Sequence, residues 1–124
     1  MSISNYLELK ILDLVFNNTA YGPLANTYIS LHTADPGETG ASEAAGGSYA
    51  RQTGSFGVAA SGQVANDAAF NFTAMPAGTF TYVGIWDAVT AGNFLWGGAL
   101  TTSRTLSAGA TGQFAIGALV VTLD

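Results

Sequence analysis

A chain of 124 residues is room for one hydrophobic core, and 48% hydrophobic content with only 9% charged residues excludes a disordered chain. The net charge is −5, and Lys10, Arg51 and Arg104 are the only basic side chains apart from one histidine, which excludes the clustered cations that nucleic-acid binding needs. With no cysteine there is no disulfide framework and no thiolate chemistry, and one histidine cannot make a zinc site.

Taken in chain order, residues 4–17 read as the only helix. Leu7, Ile11, Leu14 and Val15 recur at helical spacing. Asn5 followed by Glu8 three residues later resembles a capping box. Leu9, Leu12 and Phe16 widen the apolar stripe, so the helix needs cover on most of its circumference. That cover comes either from the sheet and a loop or from another subunit. Asn17 to Pro23 is turn-rich and ends the helix. Thr27 to Thr33 then alternates, with Ile29 and Leu31 opposite to Tyr28, Ser30 and His32, the period of a strand. Residues 34–48 read as a long loop rich in Gly, Ala and acidic residues. Further strands are expected at about 49–56, 63–66, 68–73, 79–87, 93–100, 103–107, 112–117 and 118–123. Turns fall at Ala60-Ser61-Gly62, Met75-Pro76-Ala77-Gly78, Thr90-Ala91-Gly92-Asn93 and Ser107-Ala108-Gly109.

Short strands with turn signals every ~8–12 residues indicate an all-β fold. The expected form is a two-sheet, jelly-roll-like β-sandwich with one N-terminal helix, a single domain over 1–124 with the sandwich at about 26–124. Its core should hold Ile29, Leu31, Phe56, Phe70, Phe72, Val83, Ile85, Phe94, Leu100, Phe114, Ile116, Leu119 and Val121.

The residues that carry chemistry are few. Ser30 and His32 point to the same side of a strand, but no Gly-x-Ser-x-Gly elbow accompanies them, and a lone strand histidine is ordinarily structural. Asp35, Glu38 and Glu43 share one Gly-rich loop. A glycosidase needs two carboxyls facing across a sugar, and no opposing partner is evident. The same three acids suit Ca²⁺ by ligand type but lack the EF-hand spacing. Gly46-Gly47 and Gly97-Gly98 precede no helix and no Gly-Lys-Ser/Thr, so they read as turns or bulges. Tyr82, Trp86 and Trp96 lie on strands with Tyr49 at a loop exit. Strand aromatics fill cores, and exposed ones anchor interfaces or sugars. The expectation is no catalytic residue, no cofactor and no metal.

No apolar run reaches the ~18 residues of a membrane span, and Glu8, Lys10 and Asp13 interrupt the apolar residues where a secretory signal would need a continuous run. Synthesis and assembly in the cytosol are expected. A surface of Thr, Ser, Asn, Gly and Ala, short of charge, suits burial against neighbouring subunits.

The run Ile29-Ser30-Leu31-His32-Thr33-Ala34-Asp35-Pro36-Gly37-Glu38-Thr39-Gly40 is followed by Glu43, Gly46-Gly47 and Tyr49-Ala50-Arg51-Gln52. Further on come Met75-Pro76, Gly84-Ile85-Trp86-Asp87 and Gly92 to Gly98. This order resembles a family of small virion proteins of tailed double-stranded DNA phages. Its members are labelled tail fibre-like or minor virion proteins, and some are head decoration proteins. The resemblance covers nearly the whole chain. It implies a structural role in the virion without cofactor or catalysis.

The leading expectation is therefore a non-enzymatic capsid decoration (cement) protein, a homotrimer on the head exterior that stabilises contacts of the major capsid protein. The motivation is a compact domain with no coiled coil and no β-helical shaft. The candidate interface residues are Leu9, Leu12, Phe16, His32, Asp35, Glu38, Glu43 and Tyr49. The alternative is a tail fibre or tail-tip module that binds a host-surface glycan, with exposed aromatics around Trp86-Asp87 and Asn93. A third reading is a small polysaccharide-degrading domain that uses the loop carboxylates.

Overall fold

The computed structural model describes residues 2–123. In chain order they form β1 (Ser2–Ile3), α1 (Asn5–Phe16), β2 (Thr27–His32), β3 (Gln52–Gly54), β4 (Gln63–Ala65), β5 (Phe70–Phe72), β6 (Gly78–Trp86), β7 (Phe94–Leu106), β8 (Gly112–Phe114) and β9 (Val120–Thr122). The architecture is an antiparallel β-sandwich with one N-terminal helix. Five strands make the main sheet in the order β1-β7-β6-β2-β3, and two two-stranded ribbons, β4-β9 and β5-β8, complete the set.

Alternation along β2 and β6 divides the main sheet into two faces. Ile29 pairs with Ile85 and Leu31 with Val83, and both pairs turn toward the main core. The β5-β8 ribbon contributes Phe70, Phe72 and Phe114 to the same core. Phe70 stacks on Phe114 at 4.9 Å between ring centres, and Phe72 meets both edge-on. Burying each such side chain contributes on the order of 2 kcal/mol. The opposite face carries Ser30, His32, Gly84 and Trp86, and it is buried as well. Its cover is the chain's own loop after β2, described below.

The two ribbons are joined to each other through Asn66, which is 2% exposed. Its amide donates to the carbonyls of Ala68 and Ala115 at 2.9 Å each, and its Oδ1 accepts from the Leu119 N–H at 2.9 Å. Every polar atom of that side chain is thus paired, as a buried amide requires.

Several boundaries differ from the sequence expectation. The helix cap is Ser4 and not Asn5: Ser4 Oγ accepts from the Leu7 N–H at 3.3 Å and donates to the Phe94 carbonyl at 2.6 Å. The two strands expected at 93–100 and 103–107 are one strand, β7. Its register against β6 jumps between Ala99 (opposite Tyr82) and Arg104 (opposite Phe80), so Leu100 to Ser103 bulge from the ladder. The strand expected at 112–117 ends at Phe114, because a turn with Ala118 N–H bonded to the Ala115 carbonyl and Gly117 at φ +78° follows. Ile116 consequently sits on that turn and is 68% exposed, outside the core expected to hold it. Phe56, Leu100 and Val121 pack on the core only partly buried, and Phe94 is buried on the opposite face.

Replacing Asn66 by Ala leaves the buried Leu119 N–H unpaired, removes the side-chain donor from the Ala68 carbonyl and leaves the Ala115 carbonyl with the Ala118 N–H. We expect a loss of about 3 kcal/mol, read as a lower urea midpoint with an unchanged m-value.

Candidate functional site

Three regions of the fold hold the residues that the sequence singles out: the second sheet face beneath its loop, an ion pair at the edge of that loop, and the outer side of α1.

The loop from Thr33 to Ala44 folds back over β2, β6 and β7. The Thr33 N–H bonds the Ser42 carbonyl at 3.0 Å and the Ala44 N–H bonds the Leu31 carbonyl at 2.8 Å, so both ends of the loop are stitched to β2. Pro36 is buried against Gly97, where a Cβ would stand 2.7 Å from the proline ring. Gly40, at φ +77°, lies directly over Trp86, and a Cβ there would overlap the indole. These two glycines are close-approach positions, which is why Gly97-Gly98 is neither a turn nor a phosphate loop.

Beneath this roof Ser30 and His32 are both 0% exposed. His32 Nδ1 lies 2.7 Å from the Ala41 carbonyl, which only accepts, so Nδ1 carries the proton. Nε2 then accepts from Ser30 Oγ at 2.7 Å, and Ser30 Oγ accepts from Trp86 Nε1–H at 2.9 Å. The serine and histidine do meet, as their spacing suggests, but in a sealed chain of neutral hydrogen bonds with no access for a substrate. Burial holds His32 below its usual pKa, and the nearby Arg51 charge acts in the same direction. The bond to Ala41 and the Glu43 charge oppose them without prevailing.

Glu43 and Arg51 close the edge of the roof. Arg51 Nε donates to Glu43 Oε1 and Nη2 to Oε2, both at 2.8 Å, a two-pronged pair. Arg51 Nη1 donates to the carbonyls of Ala88 and Ala91 at 2.9 and 2.8 Å, and the guanidinium lies 3.6 Å from the centre of the Trp86 ring. Tyr49 Oη donates to Glu43 Oε1 at 3.0 Å and accepts from the Leu31 N–H at 3.2 Å. Burial favours the protonated Glu43, but the bonds from Arg51 and Tyr49 outweigh it, and the carboxyl sits below its usual range. Burial and the adjacent Glu43 push the Tyr49 phenol well above its ordinary value.

The three loop acids do not converge. Asp35 accepts from the Gly37 N–H at 2.9 Å within its own turn, and Glu38 Oε2 accepts from the Asn5 N–H at 2.7 Å at the start of α1. Glu43 is engaged with Arg51. No group of three metal-ligating side chains comes together among the described residues. Trp86, expected to be exposed beside Asp87 and Asn93 in a glycan platform, is 7% exposed, and Asp87 instead accepts from the Asn93 N–H and side-chain amide at 2.7 and 2.8 Å to close the β6–β7 turn.

The helix tells a different story. Tyr6, Leu7 and Ile11 pack on the core, and no residue of α1 is fully buried. Leu9, Leu12, Val15 and Phe16 are 63%, 51%, 64% and 76% exposed. Leu123, 62% exposed, adjoins this side through a groove it shares with Ile3, Glu8, Ile11 and Leu12. Of the residues expected at an interface, Leu9, Leu12 and Phe16 therefore stand on the outside, Asp35 and Glu38 in surface turns, and His32, Glu43 and Tyr49 within the roof network.

A family model described as Podophage GP4 fiber I protein gp80 matches residues 2–122. The chain belongs to this family. No curated protein matches it. The match spans the roof, both ribbons and α1 alike, so the assembly shown here is the family's domain, and the chain is a phage virion protein.

Two pH effects follow with the same sign. As pH falls through 6.5, the unfolded chain protonates its histidine while folded His32 resists, and below 4.5 the same holds for Glu43. Stability is full near pH 7 and declines toward acid. A His32→Asn variant should lose the part of the slope between pH 6.5 and 5 in denaturant titrations, whatever its absolute stability. Glu43→Gln leaves Arg51, whose side chain is 8% exposed, without its counter-charge, and should cost about 3 kcal/mol in the same titrations.

Proposed function

We propose that this chain is a structural component of the phage fibre apparatus, joined to other virion chains through the outer side of α1. The observation that carries the reading is the apolar stripe Leu9, Leu12, Val15 and Phe16, each more than half exposed. An exposed contiguous apolar patch of this kind marks an interaction surface. Leu9, Leu12 and Phe16 follow one another at intervals of three and four, the spacing by which helices pack in bundles. Three copies of α1 around a common axis would bury the stripe, and a homotrimer is the assembly proposed. Membership of a fibre protein family supports the placement.

A second reading, a decoration protein on the head exterior that binds the major capsid protein, is favoured by the absence of an elongated shaft among the described residues. Copy number per virion, from quantitative mass spectrometry against the major capsid protein, separates the two. Fewer copies than the capsid protein by an order of magnitude or more supports the fibre. Parity with the capsid protein supports decoration and displaces the fibre reading.

The assembly face has its own test. Leu12→Glu combined with Phe16→Glu should turn an oligomer into monomers in sedimentation velocity. Because both positions are exposed, the unfolding free energy of the monomer should move by no more than about 0.5 kcal/mol. An oligomer that survives the pair removes α1 from the interface.

A further inference from the structure

The two arginines of the chain are built alike up to one point. Arg51 lies over an aromatic ring, gives Nη1 to backbone carbonyls, and presents Nε–H and Nη2–H side by side to the carboxylate of Glu43. Arg104 lies 4.6 Å from the centre of the Phe114 ring and gives Nη1 to the Gln113 carbonyl at 3.0 Å. Its Nε–H and Nη2–H have no partner among the described residues, and no acid is within ion-pair distance of it there. The edge that remains is the one that takes a carboxylate on two parallel hydrogen bonds.

That edge belongs to a concave site. Arg104 lines a surface cavity of about 240 Å³ together with Leu100, Thr101, Thr102, Phe114 and Ala118. The bulge in β7 supplies one wall, and the turn after β8 supplies the other. Thr101 and Thr102 are exposed and make no side-chain hydrogen bond with the described residues. The cavity shares four of its residues with a smaller one of about 140 Å³ that reaches toward Phe70 and Trp96. A carboxylate side chain alone needs less room. A guanidinium fixed in orientation, two hydroxyls and a recess of this size fit a ring that bears both a carboxylate and hydroxyl groups.

We infer that the recess between the β7 bulge and the β8–β9 turn is a binding site for a carboxylate-bearing sugar, a uronic acid, held by Arg104 through Nε and Nη2 with Thr101 and Thr102 bonding the ring hydroxyls. The site lies on the half of β7 away from α1, so it is independent of the assembly proposed above, and either can fail without the other.

The test titrates glucuronate into the isotope-labelled full chain and follows backbone amide shifts. Saturable shifts at residues 100–104 and 113–118, with none from glucose at equal concentration, are expected. Arg104→Lys keeps the charge but not the two-pronged edge, and should weaken binding about tenfold or more. If that variant does not fold, Thr101→Val with Thr102→Val, both on the surface, takes its place with the same expected direction. Failure to saturate with glucuronate, equal shifts from glucose, or unaltered affinity in the folded variant each overturns the proposal. So does a fourth result: no glucuronate binding together with loss of self-association in Arg104→Lys, which would make the carboxylate a neighbouring copy's side chain.

Discussion

The pairing of Arg51 with Glu43 is the constraint on which the second half of the sandwich depends. A sheet with one core would leave Ser30, His32 and Trp86 in water. The loop that covers them is glycine-rich and has no regular structure to hold it, so it must be fixed from its edge. Arg51 does this by reaching three segments at once: the loop at Glu43, the β6–β7 turn at Ala88 and Ala91, and the Trp86 ring under the roof. A lysine could supply the charge but neither the fork nor the stacking plane. Removing one partner would strand the other in a poorly solvated place, so the pair is better described as a latch than as a surface ion pair.

With that latch in place the centre of the main sheet, at Ser30 to His32 of β2, Val83 to Trp86 of β6 and the start of β7, is buried on both sides. One face meets the ribbons through Phe70, Phe72 and Phe114, the other meets its own loop through Pro36, Gly40 and the His32 network. This accounts for the composition. A chain with few charges and many glycines is what results when backbone is packed directly on aromatic rings, and when the polar groups of the covered face, Ser30, His32 and Trp86, are neutral and bonded to one another. What is left for the outside is mostly uncharged polar side chains, a few acids such as Asp35 and Glu38, and, on α1, an apolar stripe.

Much of this was legible in the sequence. The helix, the alternation of Ile29 and Leu31 against Ser30 and His32, and the aromatic core all follow from periodicity. What the sequence did not disclose depends on contacts between distant segments. β1 is two residues long and exists only because β7 lies beside it. Asn66 looks like any turn asparagine until Ala115 and Leu119 are brought to it. The three acids of the 34–48 loop share a neighbourhood along the chain, yet each goes to a different partner in space, one to its own turn, one to the helix and one to Arg51. Trp86-Asp87 and Asn93 read as a surface platform because a hairpin turn and a binding turn use the same residues. Arg104 and Arg51 stand in the sequence alike, as scattered cations that could pair with acids within the sandwich or across an interface, and only the bulge beside Arg104 tells them apart.

The way α1 is fastened has a mechanical consequence. Its first turn is tied down by the Ser4 N–H on the Leu95 carbonyl, by Ser4 Oγ on the Phe94 carbonyl and by Glu38 on the Asn5 N–H. Its last turn ends at the exposed Phe16 with no comparable tie to the sheet. The helix is a lever pivoted at one end. A pull delivered through its outer stripe is transmitted to the pivot, where short hydrogen bonds to two adjacent carbonyls at the start of β7 carry it into the longest strand of the sheet. A particle that attaches this domain by its helix would thus load the sandwich along its longest strand, with Glu38 passing a share of the pull into the roof.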